Sequence, residues 1–273
     1  MQHRIKRYPV RHPLLQRYIF FFWELRIDNA ELNHWLIPQK NVNMRFNLSD
    51  TPHYLCRADQ ESRLEDVYFP GLQSHFMNSC LKVSGRIDVL GICFAPDGFF
   101  PFLKIPASEF RNQVLGADEI GFRIADSICG QMKETSDTHE RLSVLERELL
   151  NLLAASKPVP GNFRSIFEAL RQPGNFSNIN SFCRQYSISL RQTERMYNKY
   201  VGLSASTYCA LNRFHHSLSQ LLNSGYSKLS DLAFDNDFFD QTHFIKEFKR
   251  FTGNTPGRFI KNGNSILQIG KFE

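Results

Sequence analysis

The last third of the chain is written twice. Setting Ser189–Gly202 over Asp240–Gly253, an offset of 51 residues, lays Arg195 on Lys246, Tyr197 on Phe248 and Gly202 on Gly253. The match continues through Ser204 on Thr255 and Tyr208 on Phe259. A duplicated unit with a basic residue at one helical phase suits a grip on a periodic polymer, and DNA is the first candidate.

Charge supports that choice by its placement. Residues 1–160 hold 19 Lys+Arg against 19 Asp+Glu, whereas residues 161–273 hold 14 against 8, so the whole net charge of +6 lies in the duplicated part. Localised cationic charge is the footprint of a polyanion binder, because phosphate contacts release counterions. At 273 residues there is room for two domains. No stretch is apolar enough to span a bilayer, and Met1-Gln2-His3-Arg4 leads into no secretory signal, so the expectation is a cytoplasmic chain without membrane contact. Six scattered cysteines with no Cys-x-x-Cys pair read as reduced, mostly buried thiols.

The spacing predicts an α+β chain. Tyr18–Leu25 is aromatic and β-branched, Val42–Leu48 alternates with period two, and Val89–Phe94 is a continuous apolar run. Short strands punctuated by Pro, Gly and Asn predict a small barrel or sandwich. After Pro96-Asp97-Gly98 the period becomes helical, over 117–132 and 138–153. In the second of these Leu142, Leu145, Leu149 and Leu152 form an apolar stripe, read either as packing onto its own barrel or as a dimer contact. Pro158 and Pro160 mark a linker. The expected units are residues 1–157, residues 162–262 and a tail over 263–273.

Beyond the linker, cap and stop residues predict seven helices, with a long one from about Ala205 to Asn223 bridging two three-helix units. In the second unit Phe244, Phe248 and Phe251 share one face, leaving Gln241, Thr242, Ile245, Lys246 and Lys249 on the other. In the first, Thr193, Met196, Tyr197 and Tyr200 point inward, and Leu190, Arg191, Glu194, Arg195 and Asn198 point away. Each of these helices follows a shorter one across a tight turn, which is the helix-turn-helix pattern.

Leu232-Ala233, Phe238, Asp240–Arg250 and Gly253–Phe259 closely resemble the signature of the AraC/XylS family of bacterial transcription regulators, over about residues 163–262. The resemblance implies a sequence-specific regulator that binds double-stranded DNA through two recognition helices in the major groove. It also implies an N-terminal sensing or dimerisation domain, often a cupin-like barrel, with Leu36-Ile37-Pro38 and Phe94–Gly98 similar to one such sensor. By the family pattern the base-facing positions fall on Arg191, Glu194 and Arg195, and on Gln241, Thr242, Ile245 and Lys246; Lys249, on the same outer face, is expected on phosphate. Four positions depart from it. Thr193 stands where a large apolar residue is usual, Cys183 where Ala is, and Ser187 and Asp237 at turn positions commonly held by Gly. RNA polymerase, for an activator, a homodimer partner and a small-molecule effector are the further partners implied.

Two other classes compete with a DNA-binding regulator. A metal-dependent cupin-type enzyme wants a His-x-His cluster with a downstream acid, but His34, His53 and His75 are isolated and His215-His216 diverge by about 100° on a helix. No nucleophile motif or phosphate loop stands out, so no enzyme activity and no cofactor is expected. A protein-binding adaptor built on a degenerate helix-turn-helix is the other. In the N-terminal half, Phe20, Phe22, Trp35, Phe46 and Phe94 line an effector pocket or fill a core.

Overall fold

The computed structural model describes residues 5–58, 60–156, 161–170, 179–223 and 228–261. The central linker residues 157–160, the Pro173-Gly174 helix stop, the Asn178 cap, Gly225, residue 262 and the tail over 263–273 lie outside them.

The N-terminal half is built on two long strands. β2 (Ile19–Trp35) and β7 (Ser79–Phe94) pair antiparallel along nearly their whole length, with register shifts between Ile19 and Phe21 and between Ile27 and Ala30. On the free edge of β7, β4 (Tyr54–Arg57) pairs with its first part and β3 (Asn43–Asn47) with its last. β1 (Lys6–Tyr8), β5 (Gln60–Arg63), β6 (Val67–Pro70) and β8 (Val114–Gly116) complete eight strands in the order β1-β2-β7-β3-β6-β8, with β5 outside β4. The barrel expected from the sequence is therefore an open sheet. Its terminal strands are three residues each, too short to close a ring of hydrogen bonds on one another.

Both faces of the sheet are covered. Phe22, Met44, Phe46, Leu90, Ile92 and Phe94 face one apolar core. Trp23, Leu25, Leu32, Leu81, Val83 and Val89 face a second. The period-two alternation of β3 is thus real, yet every one of its residues is buried, because the polar positions face into the molecule as well.

Two helices close the first core, α3 (Ile124–Lys133) and α4 (Thr138–Ala154), the former starting seven residues later than its sequence pattern suggests because Ala117–Phe122 forms turns. Leu142, Leu145 and Leu149 of α4 are buried in this core and Leu152 is half-buried against it. The leucine stripe is consumed by the chain's own packing. A buried pair fixes α4 to β7: Arg141 Nη1 donates to both carboxylate oxygens of Asp88, at 2.9 and 3.1 Å. A buried pair that keeps both partners is tolerated; losing one leaves an uncompensated charge. The described cysteines are all free thiols, five of them buried and Cys56 half-buried. Burial raises the Cys56 thiol to about 11, helped by Cys80, its strand partner on β7.

After α1 (Pro13–Gln16) and α2 (Phe100–Leu103), the remaining helices are α5 (Gly161–Leu170), α6 (Ile179–Gln185), α7 (Leu190–Tyr200), α8 (Ala205–Asn223), α9 (Leu229–Asp235), α10 (Gln241–Thr252) and α11 (Pro256–Lys261). They share one apolar cluster with the first core. The ring of Phe100 meets that of Tyr200 edge-on at 5.1 Å, Phe76 N donates to Arg250 O at 2.9 Å, and Tyr208 Oη donates to Lys40 O at 3.4 Å. The helices are thereby docked on the sheet half through their inner sides.

Candidate nucleic-acid interface

The two units are built alike at each turn between helices. Ser187, at φ 51°, and Asp237, at φ 57°, adopt the left-handed conformation in which non-glycine residues are uncommon. Around each, two backbone bonds close the preceding helix. Ser187 N donates to Arg184 O and Ile188 N to Cys183 O; Asp237 N donates to Phe234 O and Phe238 N to Ala233 O. This double closure is the Schellman motif, and it satisfies carbonyls that would otherwise be orphaned. Both departures from glycine noted in the sequence keep the turn that glycine would make.

The following helices start on side-chain caps. Ser189 accepts from Gln192 N at 3.1 Å while Gln192 Oε1 accepts from Ser189 N at 3.2 Å, a reciprocal capping box. Asp240 Oδ1 accepts from His243 N at 2.7 Å. Both helices end in left-handed glycines, Gly202 at φ 87° and Gly253 at φ 72°. A Cβ on Gly202 would lie 2.4 Å from Ala107 O, and one on Gly253 would lie 2.6 Å from Phe76 Cδ1. Backbone conformation and close approach to the N-terminal half both call for glycine there.

The cores repeat contact for contact. Tyr197 meets Tyr208 at 6.0 Å, and Phe248 meets Phe259 at 5.3 Å. Tyr200 meets Phe163 of α5 at 5.0 Å, and Phe251 meets Phe214 of α8 at 5.0 Å. The α6–α7 crossing exchanges volume relative to its twin: Cys183 lies 3.4 Å from Thr193 Oγ1, where the corresponding buried residues of the second unit are Ala233 and Phe244. The unusual pair in the first unit is one compensated change.

What remains outside is polar and basic. Arg191, Arg195, Gln241, Thr242, Lys246 and Lys249 are exposed, and Ile245 is half-buried. Glu194 is placed differently from its neighbours. Its Oε2 accepts from Ala205 N at 3.1 Å, tying α7 to the head of α8. In the second unit Arg213 of α8 donates to Glu247 of α10 at 2.7 Å and lies over the Phe238 ring at 4.6 Å. The sequence signals missed Phe239, 93% exposed just before the Asp240 cap, and Phe234, 84% exposed on α9. Aromatics in a Phe-rich stretch look like core until the helix phase is known.

Residues 182–262 match a family model described as a helix-turn-helix domain. They form an AraC-type helix-turn-helix domain. The chain is accordingly a DNA-binding transcription regulator. Residues 10–116, ahead of the AraC-type domain, match a model described as a domain of unknown function (DUF6597). A search of curated protein sequences gives no match. Among solved structures the chain is similar to ToxT from Vibrio cholerae O395, at 11% identity over 91% of this chain and 98% of that one, with a TM-score of 0.45. It is also similar to the AraC-like transcriptional activator CuxR, at 13% identity over 74% and 75%, with a TM-score of 0.26. Among the described residues no helix is long and apolar enough to cross a membrane, and no three His, Cys, Asp or Glu side chains are grouped to hold a metal ion.

Proposed function

We propose that the AraC-type domain reads DNA with α7 and α10 lying in successive major-groove segments of one duplex. Arg191 and Arg195 are suited to guanine, and Gln241 to adenine; Thr242 and Ile245 offer apolar contact to thymine methyls. Lys246 is suited to a guanine edge as the arginines are, and Lys249, with the amide ends of α7 and α10, suits phosphates. Glu194 reaches a cytosine amino group only by releasing Ala205. Phe239 stands beside the amide end of α10, where an aromatic side chain meets sugars or methyl groups. The observation that carries this reading is the repetition of turn, cap and core in both units, with the basic sides left uncovered.

We further propose residues 1–157 as a unit that senses an effector and acts on the AraC-type domain through the docked contacts. The test is a gel-shift series over promoter fragments and their single-base variants. Arg191→Ala and Gln241→Ala should each lose about 1–3 kcal/mol of discrimination at one base position. Lys249→Ala should weaken all fragments alike and flatten the salt dependence. Uniform loss for Gln241→Ala across every fragment would remove that residue from base reading.

A further inference from the structure

Arg45 is the least expected side chain of the sheet half. It sits on β3, 6% exposed, with its guanidinium 5.9 Å from the Trp23 ring and 5.7 Å from the Tyr68 ring. Among the described residues its Nε finds no hydrogen-bond partner and no carboxylate lies within ion-pair reach. An unpaired guanidinium in the interior costs several kcal/mol, and ring faces recover only part of that. The other buried arginines differ: Arg141 has Asp88 and Arg213 has Glu247.

Arg45 lines a cavity of about 40 Å³ that opens between β2, β3 and the residues after β6. Among the lining atoms, Asn41 Oδ1 and Gln73 Oε1 are likewise unsatisfied, and Gln73 is 7% exposed. One interior cation and two amide oxygens without hydrogen-bond partners around one cavity describe a ligand by its complement. It carries an anionic group for the fork of Arg45 and a hydrogen-bond donor for the amide oxygens. The volume admits a few heavy atoms, more than one water requires and less than a sugar ring. Of Phe20, Phe22, Trp35, Phe46 and Phe94, only Trp35 lines this space; Phe22, Phe46 and Phe94 fill the first core and Phe20 is exposed.

We propose that this cavity binds a small carboxylate that also carries a hydroxyl or amino group, held by Arg45, Gln73 and Asn41. The site extends the sensing role given above to residues 1–157, and the loop that forms it also touches α8. Pro38 O accepts from His215 Nε2 at 2.8 Å and Lys40 O from Tyr208 Oη, while Ile37, Gln39 and Asn41 between and beside them line the cavity.

The test titrates the full chain, without DNA, with glycolate, glycolamide and chloride at constant ionic strength, read by thermal unfolding and calorimetry. Glycolate should raise the midpoint saturably and bind at least about tenfold tighter than glycolamide, as loss of a charge-assisted contact to Arg45 requires. Arg45→Gln should abolish the glycolate shift. No saturable shift with glycolate, an equal shift with glycolamide or chloride, or an undiminished shift in Arg45→Gln would each overturn the proposal. The glycolate–glycolamide comparison needs no variant, so it decides even if Arg45→Gln does not fold. Because DNA is absent, failure here leaves the DNA reading of α7 and α10 untouched.

Discussion

The first helix-turn-helix unit is held by rings, and the second by rings and a buried charge. In the first, Phe163, Phe167, Tyr197 and Tyr208 stack against one another, and α7 meets α8 through Glu194 on the Ala205 amide. In the second, Phe214, Phe244, Phe248 and Phe251 do the same, and Arg213 adds a pair to Glu247 and a bond to Asp237 O. Position 196, which aligns with 247, holds Met, so the first unit has no counterpart of this pair. Duplication preserved the geometry of the turn and core, while the means of fastening α7 and α10 to the shared helix diverged.

The largest expected break of this comparison is Arg213→Met. It leaves Glu247 buried without its partner and should cost about 3–5 kcal/mol. Hydrogen exchange should then show α9 and α10 losing protection while α6 and α7 keep theirs. Equal loss in both units would mean that they unfold as one.

Acid should separate the units next, through their seams with the sheet half. The seam of the first unit is Phe100 on Tyr200 with Lys199 above Phe100, contacts that involve no histidine. The seam of the second includes His215, whose pKa is lowered to about 4, chiefly by burial, against a partial rise from its bond to Pro38 O. His53, within the sheet half, is likewise lowered to about 4 by burial and by the charge of Arg45. Both favour the neutral ring when folded. Their contribution is therefore complete above about pH 6.5 and is lost as pH falls toward 4, at up to about 1.4 kcal/mol per pH unit for each histidine. Chemical denaturation at pH 7 and pH 5 should show this fall, and exchange at pH 5 should open the α8–Pro38 contact before Phe100–Tyr200.

The smallest effect sharpens the comparison at the helix ends. Gly202→Ala and Gly253→Ala both impose left-handed strain of about 1 kcal/mol. The new methyl at 202 meets a backbone carbonyl that cannot step aside, whereas at 253 it meets the edge of the Phe76 ring, which can rotate. Gly202→Ala should therefore lower the midpoint of thermal unfolding by several degrees more than Gly253→Ala. The reverse order would place the firmer seam at the second unit.

Much of the helical half was legible because its signals are local. Ser189 and Asp240 as caps, Gly202 and Gly253 as stops, and the Phe244-Phe248-Phe251 face need only sequence neighbours to be recognised. Cys183 and Thr193 looked like two separate departures because their compensation acts across helices. The sheet half was legible in its strands and not in its closure, since pairing depends on partners far away in the chain. Arg45 escaped for the same reason. On an alternating strand a charged residue reads as the solvent side, and only the Trp23 and Tyr68 rings brought to the same face by β2 and β6 reveal that this side is interior.

Tyr208 and His215 stand seven residues apart on α8, two turns along one stripe, and both grip carbonyls of the same short loop, Lys40 and Pro38. Two grips on one stripe pin a rod against rolling. Any roll of α8 would break both grips together and carry Glu194's anchor and Arg213's clamp around in the same sense, so the loop at 38–40 governs the bearing of α7 and α10 at once.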